Sequence, residues 1–292
     1  MEKKYSAVAL GLFDGVHLGH RAVLKAASEQ KQQGLMPCAF TFPSQSAAKK
    51  GTGGFIYGDD EKAAILTGEC GIERIYSPPF ADICGMDGAE FAERILCGEL
   101  NAVFVCCGND FLFGKGASCG IAELRSFGER YGFRVETVED VLCGGERVSS
   151  SLIRRLLADG SIERANTLLG SPYTIMKTVS RGAQLGRTIG FPTANQLFDE
   201  EQQVPAYGVY ASVTHIDGKS FPSMTDIGMK PTVNYGGAPL AETYIHGFSG
   251  DLYGSPLRVS LLRFIRPEMK FSSLEELREQ INRDMEAALN IL

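Results

Sequence analysis

No apolar run in the sequence approaches the ~20 residues of a membrane-spanning helix, so the composition is that of a soluble globular chain. The N-terminus MEKKYSAVALGLF sets basic residues before an apolar stretch. That stretch is short, and Asp14 and His17 soon interrupt it, which excludes a signal peptide. Positive charge is also scarce: 29 Lys and Arg against 35 Asp and Glu leave a net charge of −6. That balance excludes a general nucleic-acid binder, so any phosphate site has to be built locally. Cysteine is absent from the whole second half; all eight lie between Cys38 and Cys143, and none forms a CxxC pair. Buried free thiols in a reducing cytoplasm are expected, rather than disulfides or a zinc site. The abrupt end of cysteine marks a domain boundary near residue 143. The glycine-rich stretch Gly182–Asn195 holds no Gly-Lys-Ser/Thr string, which excludes a Walker loop there. There is no internal repeat and no low-complexity segment.

What is present begins with Gly11–His20, GLFDGVHLGH. An apolar run leads into it and a helical pattern, Arg21–Gln33, leads out. A strand, a glycine-rich turn with two imidazoles and a helix N-terminus make a phosphate-binding arrangement, because free N–H groups and the helix dipole face the anion. His17-x-x-His20 has no cysteine or carboxylate cluster at metal-ligand spacing, so phosphate contact is the better reading than zinc. The two rings can donate to phosphate oxygens as charge builds in a transition state.

At 292 residues two domains are expected, since single cores stop growing near ~250–300 residues. The first half alternates strands (Ser6–Leu12, Leu35–Phe42, Ile72–Tyr76, Ala102–Cys107, Phe133–Val138) with helices (Leu18–Gln33, Asp59 or Asp60 to about Cys70, Ala89–Cys97, Ile121–Arg130). That order implies a parallel βαβ sheet with its ligand beyond the strands' C-terminal ends. Three loops should gather there: Gly11–His20, Thr41–Ser46 and Gly108–Gly116. Gly51–Gly54, with Lys49-Lys50, is expected to be the most mobile loop. Val148–Leu157 reads as a helix capped by Ser149 or Ser150, with Arg154 and Arg155 one turn in; the residues alone indicate an ordinary amphipathic helix. Ser161–Leu169 is a short helix ended by Gly170 and forms the link.

The second half changes character. Tyr173–Val179, Val209–Ile216, Glu242–Phe248 and Leu257–Phe264 read as strands, with Asp217-Gly218 as a hairpin turn. Short strands without helices between them suggest a compact antiparallel barrel. A terminal helix, Leu274–Leu289, carries a capping box from Ser272 or Ser273 and an apolar stripe of Leu274, Leu277, Ile281, Met285 and Ala288. Gly182–Asn195, GAQLGRTIGFPTAN, reads as a polar glycine loop between strands; Gly182, Gly186 and Gly190 allow close approach to a ligand, Thr193 and Asn195 offer oxygens, and Arg187 adds charge. Glu242 is the candidate general base of this half if it faces a pocket.

These strings resemble the bifunctional bacterial riboflavin kinase/FAD synthetase family. The resemblance runs through GLFDGVHLGH, the helix from Asp60-Glu61-Lys62, GNDFLFG and VSSSLIR, and then LLGSPY, GRTIGFPTAN, GVYA, IGMKPTV, DLYG and the terminal helix. It implies a Rossmann-like nucleotidyltransferase domain over residues 1–158, a linker helix at 159–171 and a kinase barrel at 172–292. In the barrel, Thr193 and Asn195 would hold Mg²⁺-ATP, with Gly182 and Gly186 against the nucleotide, and Glu242 would accept the proton of riboflavin's 5′-hydroxyl. In the first domain, FMN would take AMP from ATP with release of pyrophosphate. Gly11, Phe13, Asp14, Gly15 and Gly19 would shape its phosphate site. His17 and His20 would stabilise the reacting phosphate, and Ser149, Ser150 and Arg154 would close over it. Asp110, Phe111 and Gln45 would meet the flavin. The family string TFxPHP reads TFPSQS here, with Gln45 at the histidine position. The implied partners are flavins and ATP, with no nucleic acid or membrane; homo-oligomer formation stays open. Two other readings are a riboflavin kinase whose first domain is a structural or nucleotide-sensing module, and a flavin- or nucleotide-binding regulator without turnover.

Overall fold

The computed structural model describes residues 4–48, 54–182, 186, 189–229 and 238–291. Residues 49–53 of the loop expected to be mobile, and Arg187, lie outside them. By its contacts the chain divides into two units, Met1–Ser151 and Leu152–Leu292.

The first unit is a five-stranded parallel sheet. Its strands are β1 (Ser6–Leu10), β2 (Met36–Phe40), β3 (Arg74–Tyr76), β4 (Ala102–Gly108) and β5 (Arg134–Val138), in the order β3-β2-β1-β4-β5. Every residue of β1 is buried, as a central parallel strand covered on both faces requires. Val8, Leu10, Phe40, Phe91, Ile95 and Leu96 belong to one continuous core, each large side chain contributing roughly 1.5–3 kcal/mol by leaving water. Helix Leu18–Ser28 comes after β1, tightens into a 3₁₀ turn at Glu29–Gln33 and stops at Gly34, whose left-handed φ of 80° ends it. The stretch expected as helix Ala89–Cys97 is longer: Asp87 caps Gly88–Glu90 by accepting from the Glu90 N–H, and Phe91–Glu99 continues as a π-helix. A two-rung hairpin, β6 (Leu142–Cys143) and β7 (Glu146–Arg147), precedes helix Ser150–Ala158. One expectation fails at the helix Asp59–Gly68. Its N-cap is Gly58, and the Asp59 carboxylate is turned away to bond Ser44.

The second unit holds helix Ile162–Leu169 and six antiparallel strands: β8 (Tyr173–Thr178), β9 (Thr193–Leu197), β10 (Gly208–Ile216), β11 (Lys219–Met229), β12 (Pro239–Ile245) and β13 (Pro256–Pro267). They run in the order β8-β13-β10-β11-β12-β9. The sheet curls until its ends meet, where the Ser180 N–H donates to the Asn195 carbonyl at 2.8 Å. The Gln196 amide reinforces this seam by donating to the Lys177 and Leu257 carbonyls at 2.8 and 2.7 Å. Asp217 and Gly218, at φ of 48° and 75°, make the β10–β11 hairpin with both central residues left-handed. Thr193–Leu197, read in part as loop, is a strand.

The barrel interior carries a ladder of hydroxyls. Ser212 bonds Thr225 at 2.8 Å, Thr225 bonds Thr243 at 2.9 Å, and Thr214 bonds Ser223 at 2.7 Å, all fully buried. Helix Leu274–Leu289 is capped by Ser273, and Glu276 reaches back to the Ser272 N–H and hydroxyl. It docks by its C-terminal half: Met285 and Ala288 pack on Val209, Ala211 and Met224. Leu274, expected in the stripe, is 70% exposed. Arg266 grips the buried Asp284 through two nitrogens at 2.7–3.1 Å. Among the described residues no helix is long and apolar enough to cross a membrane.

Candidate functional site

Each unit has its own cleft. In the first, a cleft of about 820 Å³ opens beyond the C-terminal ends of β1, β4 and β5. Gly11, Phe13, His17, Gly19 and His20 line it from the turn after β1, Asp110 and Phe111 from the loop after β4, and Ser149 and Ser150 from the entry to helix Ser150–Ala158. The third expected loop sends only Phe42 into the wall.

The turn after β1 is wound tightly and braced from outside. Phe13, Gly15 and Val16 all take left-handed φ values, 50°, 81° and 41°. Non-glycine residues there cost of order 1–3 kcal/mol each and persist only where the surroundings over-determine them. The braces are visible: the Thr41 hydroxyl donates to the Leu12 carbonyl at 2.8 Å, the Ser150 hydroxyl to the Asp14 carbonyl at 2.9 Å, and the Ile56 N–H to the Asp14 carboxylate at 2.8 Å. Asp14 and Gly15 therefore shape the turn without lining the cleft.

His17 is the N-cap of helix Leu18–Ser28, and its Nδ1 accepts the His20 backbone N–H at 3.3 Å. A neutral ring whose Nδ1 accepts carries its proton on Nε2, so His17 is a donor at that atom. The two imidazoles stack, centroids 3.6 Å apart and planes 16° from parallel, with Phe13 edge-on to His20. Burial pushes His17 down to about 4; the Arg147 guanidinium adds to the shift and a backbone hydrogen bond opposes it. Burial, and then His17 itself, hold His20 well below the ordinary histidine value. Both rings are neutral near pH 7. The His20 Nδ1 is buried and has no hydrogen-bond partner among the described residues.

Arg147, on β7, also lines the cleft and was not singled out from the sequence. It bonds Asp110 at 2.6 Å and pairs with Asp140 at 3.1 Å. Phe80, Ile83 and Met86 add an apolar wall beside Phe42; their spacing of three after Pro78-Pro79 was a legible signal. Gln45 sits exposed on the short helix Ser44–Ala48 and does not line the cleft. Arg154, half-buried on helix Ser150–Ala158, falls past the division at 151/152.

The second unit has a cleft of about 670 Å³ lined by Thr193, Asn195, Thr243, Ile245 and the segment Phe248–Tyr253. Arg181 lies over the Tyr253 ring, 5.2 Å from its centroid. A Cβ on Gly182 would stand 2.3 Å from the Asn195 amide nitrogen, and one on Gly186 equally close to the Phe191 carbonyl, so both positions require glycine for close approach. Asn195 is 5% exposed, and its side-chain oxygen has no hydrogen-bond partner among the described residues. Glu242 does not line the cleft but stands directly opposite Asn195 in the β12–β9 register. Directly opposed residues share a face of the sheet, so Glu242, Asn195 and Thr193 project to the same side.

The FAD synthetase family model matches residues 1–152 and the riboflavin kinase model residues 169–292. The bifunctional riboflavin kinase/FMN adenylyltransferase of Escherichia coli K12 is 35% identical over 289 residues, covering 95% of this chain and 90% of its own. That of Bacillus subtilis is 32% identical over 303 residues, covering 99% and 93%. A crystal structure described as a macrolide-efflux protein from Streptococcus pneumoniae superposes with a TM-score of 0.82 at 27% identity, covering 98% of this chain and 94% of that one. With two matched domains and relatives aligned over nine-tenths or more of both chains, the chain belongs to the bifunctional riboflavin kinase/FMN adenylyltransferase family.

Proposed function

We propose that the chain is a two-site transferase, phosphorylating riboflavin to FMN with ATP in the second unit and adenylylating FMN to FAD, with release of pyrophosphate, in the first. The observation that carries this is the tiling: two family matches fall on the two units, and each unit has a separate cleft.

In the first cleft the phosphate of FMN is the nucleophile and is already ionised, so alignment and charge stabilisation are what the protein supplies. His17 donates from Nε2 to phosphate oxygens, His20 stands stacked beside it, and Ser149 contributes a hydroxyl. Ser150 is engaged with Asp14 and acts by fixing the turn. Arg147, held by Asp110, joins this set as a cation. Arg154 stays a candidate for closing the site, from the family pattern. The apolar side of the cleft suits the flavin ring.

In the second cleft the Asn195 oxygen, without a hydrogen-bond partner among the described residues, and the Thr193 hydroxyl are suited to hold Mg²⁺, a hard cation that takes oxygen ligands. When bound, the ion neutralises polyphosphate charge. Glu242, on the same face, accepts the proton of the ribityl hydroxyl, a poor nucleophile without a base. Gly182 lets the backbone approach the nucleotide. The eight cysteines, all unpaired, suit a reducing cytoplasm.

The test is the purified chain with riboflavin, ATP and Mg²⁺, flavins resolved by chromatography. FMN, then FAD, is expected. Arrest at FMN favours a kinase-only enzyme, for which Gln45 outside the cleft speaks, and no conversion refutes both.

A further inference from the structure

The buried ammonium of Lys62 does not line the first cleft, yet it is bonded to a wall of it. Lys62 lies in the first turn of helix Asp59–Gly68 and is 5% exposed. A lone ammonium is costly to bury, so its partners matter. It donates to the Phe42 carbonyl at 2.7 Å and pairs with the Asp59 carboxylate at 3.4 Å. The same Asp59 oxygen accepts the Ser44 N–H at 2.8 Å and the Ser44 hydroxyl at 2.9 Å. From the other side, Thr41 donates its hydroxyl to the Leu12 carbonyl and its N–H to the Tyr76 carbonyl at 2.8 and 3.0 Å. The stretch Thr41–Ser44 is thus tethered at both ends and in the middle.

Only Phe42 of that stretch presents its side chain to the cleft. Its ring meets Phe40 and Phe80 edge-on, each at 5.2 Å, and Phe40 and Phe80 also line the cleft. This is the stretch where the family string TFxPHP reads TFPSQS. Pro43 fixes one φ in this stretch, and side-chain tethers from the next helix hold the rest.

We propose, on the reading of this cleft as the FMN adenylylation site, that Lys62 is a positioning residue which, with Asp59, locks the Thr41–Ser44 turn so that Phe42 stands as a fixed wall for the flavin ring. A wall set before binding spares the ordering entropy that a loose loop would lose on ligand capture. Lys62 bonds the Phe42 carbonyl and Asp59, which places its main effect on the flavin side of the site.

The experiment is steady-state FAD formation by the full chain from supplied FMN and ATP, with Lys62→Met, Lys62→Arg, Asp59→Asn and Phe42→Leu. Lys62→Met is expected to raise KM for FMN by about tenfold, with kcat and KM for ATP within about twofold, since a loosened wall weakens flavin binding alone. Lys62→Arg restores part of the loss. Phe42→Leu raises KM for FMN similarly, and adding Lys62→Met to it changes KM by less than about twofold, because both act through one ring. Equal losses for FMN and ATP, full multiplication of the two effects, or no change overturns the proposal. If Lys62→Met does not fold, Asp59→Asn, which keeps an acceptor for Ser44 but not the charge, carries the same comparison with Phe42→Leu. Wild-type chain that forms no FAD refutes the reading of the cleft; wild-type activity without an FMN-selective KM change refutes the role of Lys62 alone.

Discussion

Acid should destabilise the first unit through His17, and the size of the effect is set by its burial. The ring is 6% exposed and its pKa falls from 6.5 to about 4 on folding. Below pH 6.5 the unfolded chain binds a proton at this position and the folded chain does not. Stability is therefore complete above pH 6.5, falls as pH drops through the window from 6.5 to 4, and levels off below 4. The linkage costs about 2 kcal/mol between pH 7 and pH 5 and approaches about 3 kcal/mol below pH 4. Other groups titrate over the same range, so the measurement is a difference. His17→Asn keeps a strong N-cap acceptor and removes the titration. Urea unfolding of both proteins, monitored by near-ultraviolet circular dichroism of the tyrosines at half-unit pH steps, gives two stability curves. The gap between them should close by about 2 kcal/mol from pH 7 to pH 5, as wild type loses stability faster. Parallel curves would mean that His17 is protonated in the folded chain or titrates normally, and the neutral stacked pair would have to be abandoned.

Three other outcomes are expected. His20→Ala should abolish FAD formation and spare FMN formation; parallel loss of both activities would contradict separate sites. Glu242→Gln should remove most riboflavin phosphorylation while FAD formation from supplied FMN persists, and unaffected kinase turnover would eliminate Glu242 as the base. Asp284→Ala strands the Arg266 guanidinium against the barrel and should cost about 3–5 kcal/mol, read as a lowered melting transition of the second unit; a cost under about 1 kcal/mol would mean the pair is solvated.

Local chemistry was legible in the sequence, and long-range pairing was not. Gly11–His20 declares itself because the apolar run, the glycines and both histidines are contiguous. The hairpin Asp217-Gly218 does so because two left-handed residues admit few side chains. Arg147 stayed hidden because its partner, Asp110, arrives from a different loop, across a hairpin of two rungs. Glu242 and Asn195 are brought face to face only by strand register. Thr193–Leu197 lacks the β-branched and aromatic run that marks a strand, and is held as one by its seam bonds. Asp59 looked like a helix cap because Asp commonly is one; Ser44 offered it two donors at once. Leu274 matched the helical period, but the helix touches the sheet only further along.

The hydroxyl ladder inside the barrel has a consequence for how the chain finds its pairing. Aliphatic side chains are nearly interchangeable partners, so an oily interior tolerates a sliding strand. Thr225 is bonded by Thr243 directly across, and Ser212 reaches the same hydroxyl on the diagonal from its own register partner Ser223. A one-residue slip of β11 would turn Thr225 to the opposite face and leave Ser212 and Thr243 facing each other across a gap, their hydroxyls dry and unbonded. At roughly 1–3 kcal/mol for each stranded group, misaligned barrels are disfavoured before the terminal helix has docked. Three small polar side chains thus act as a registration key alongside the two-residue turn that joins β10 to β11.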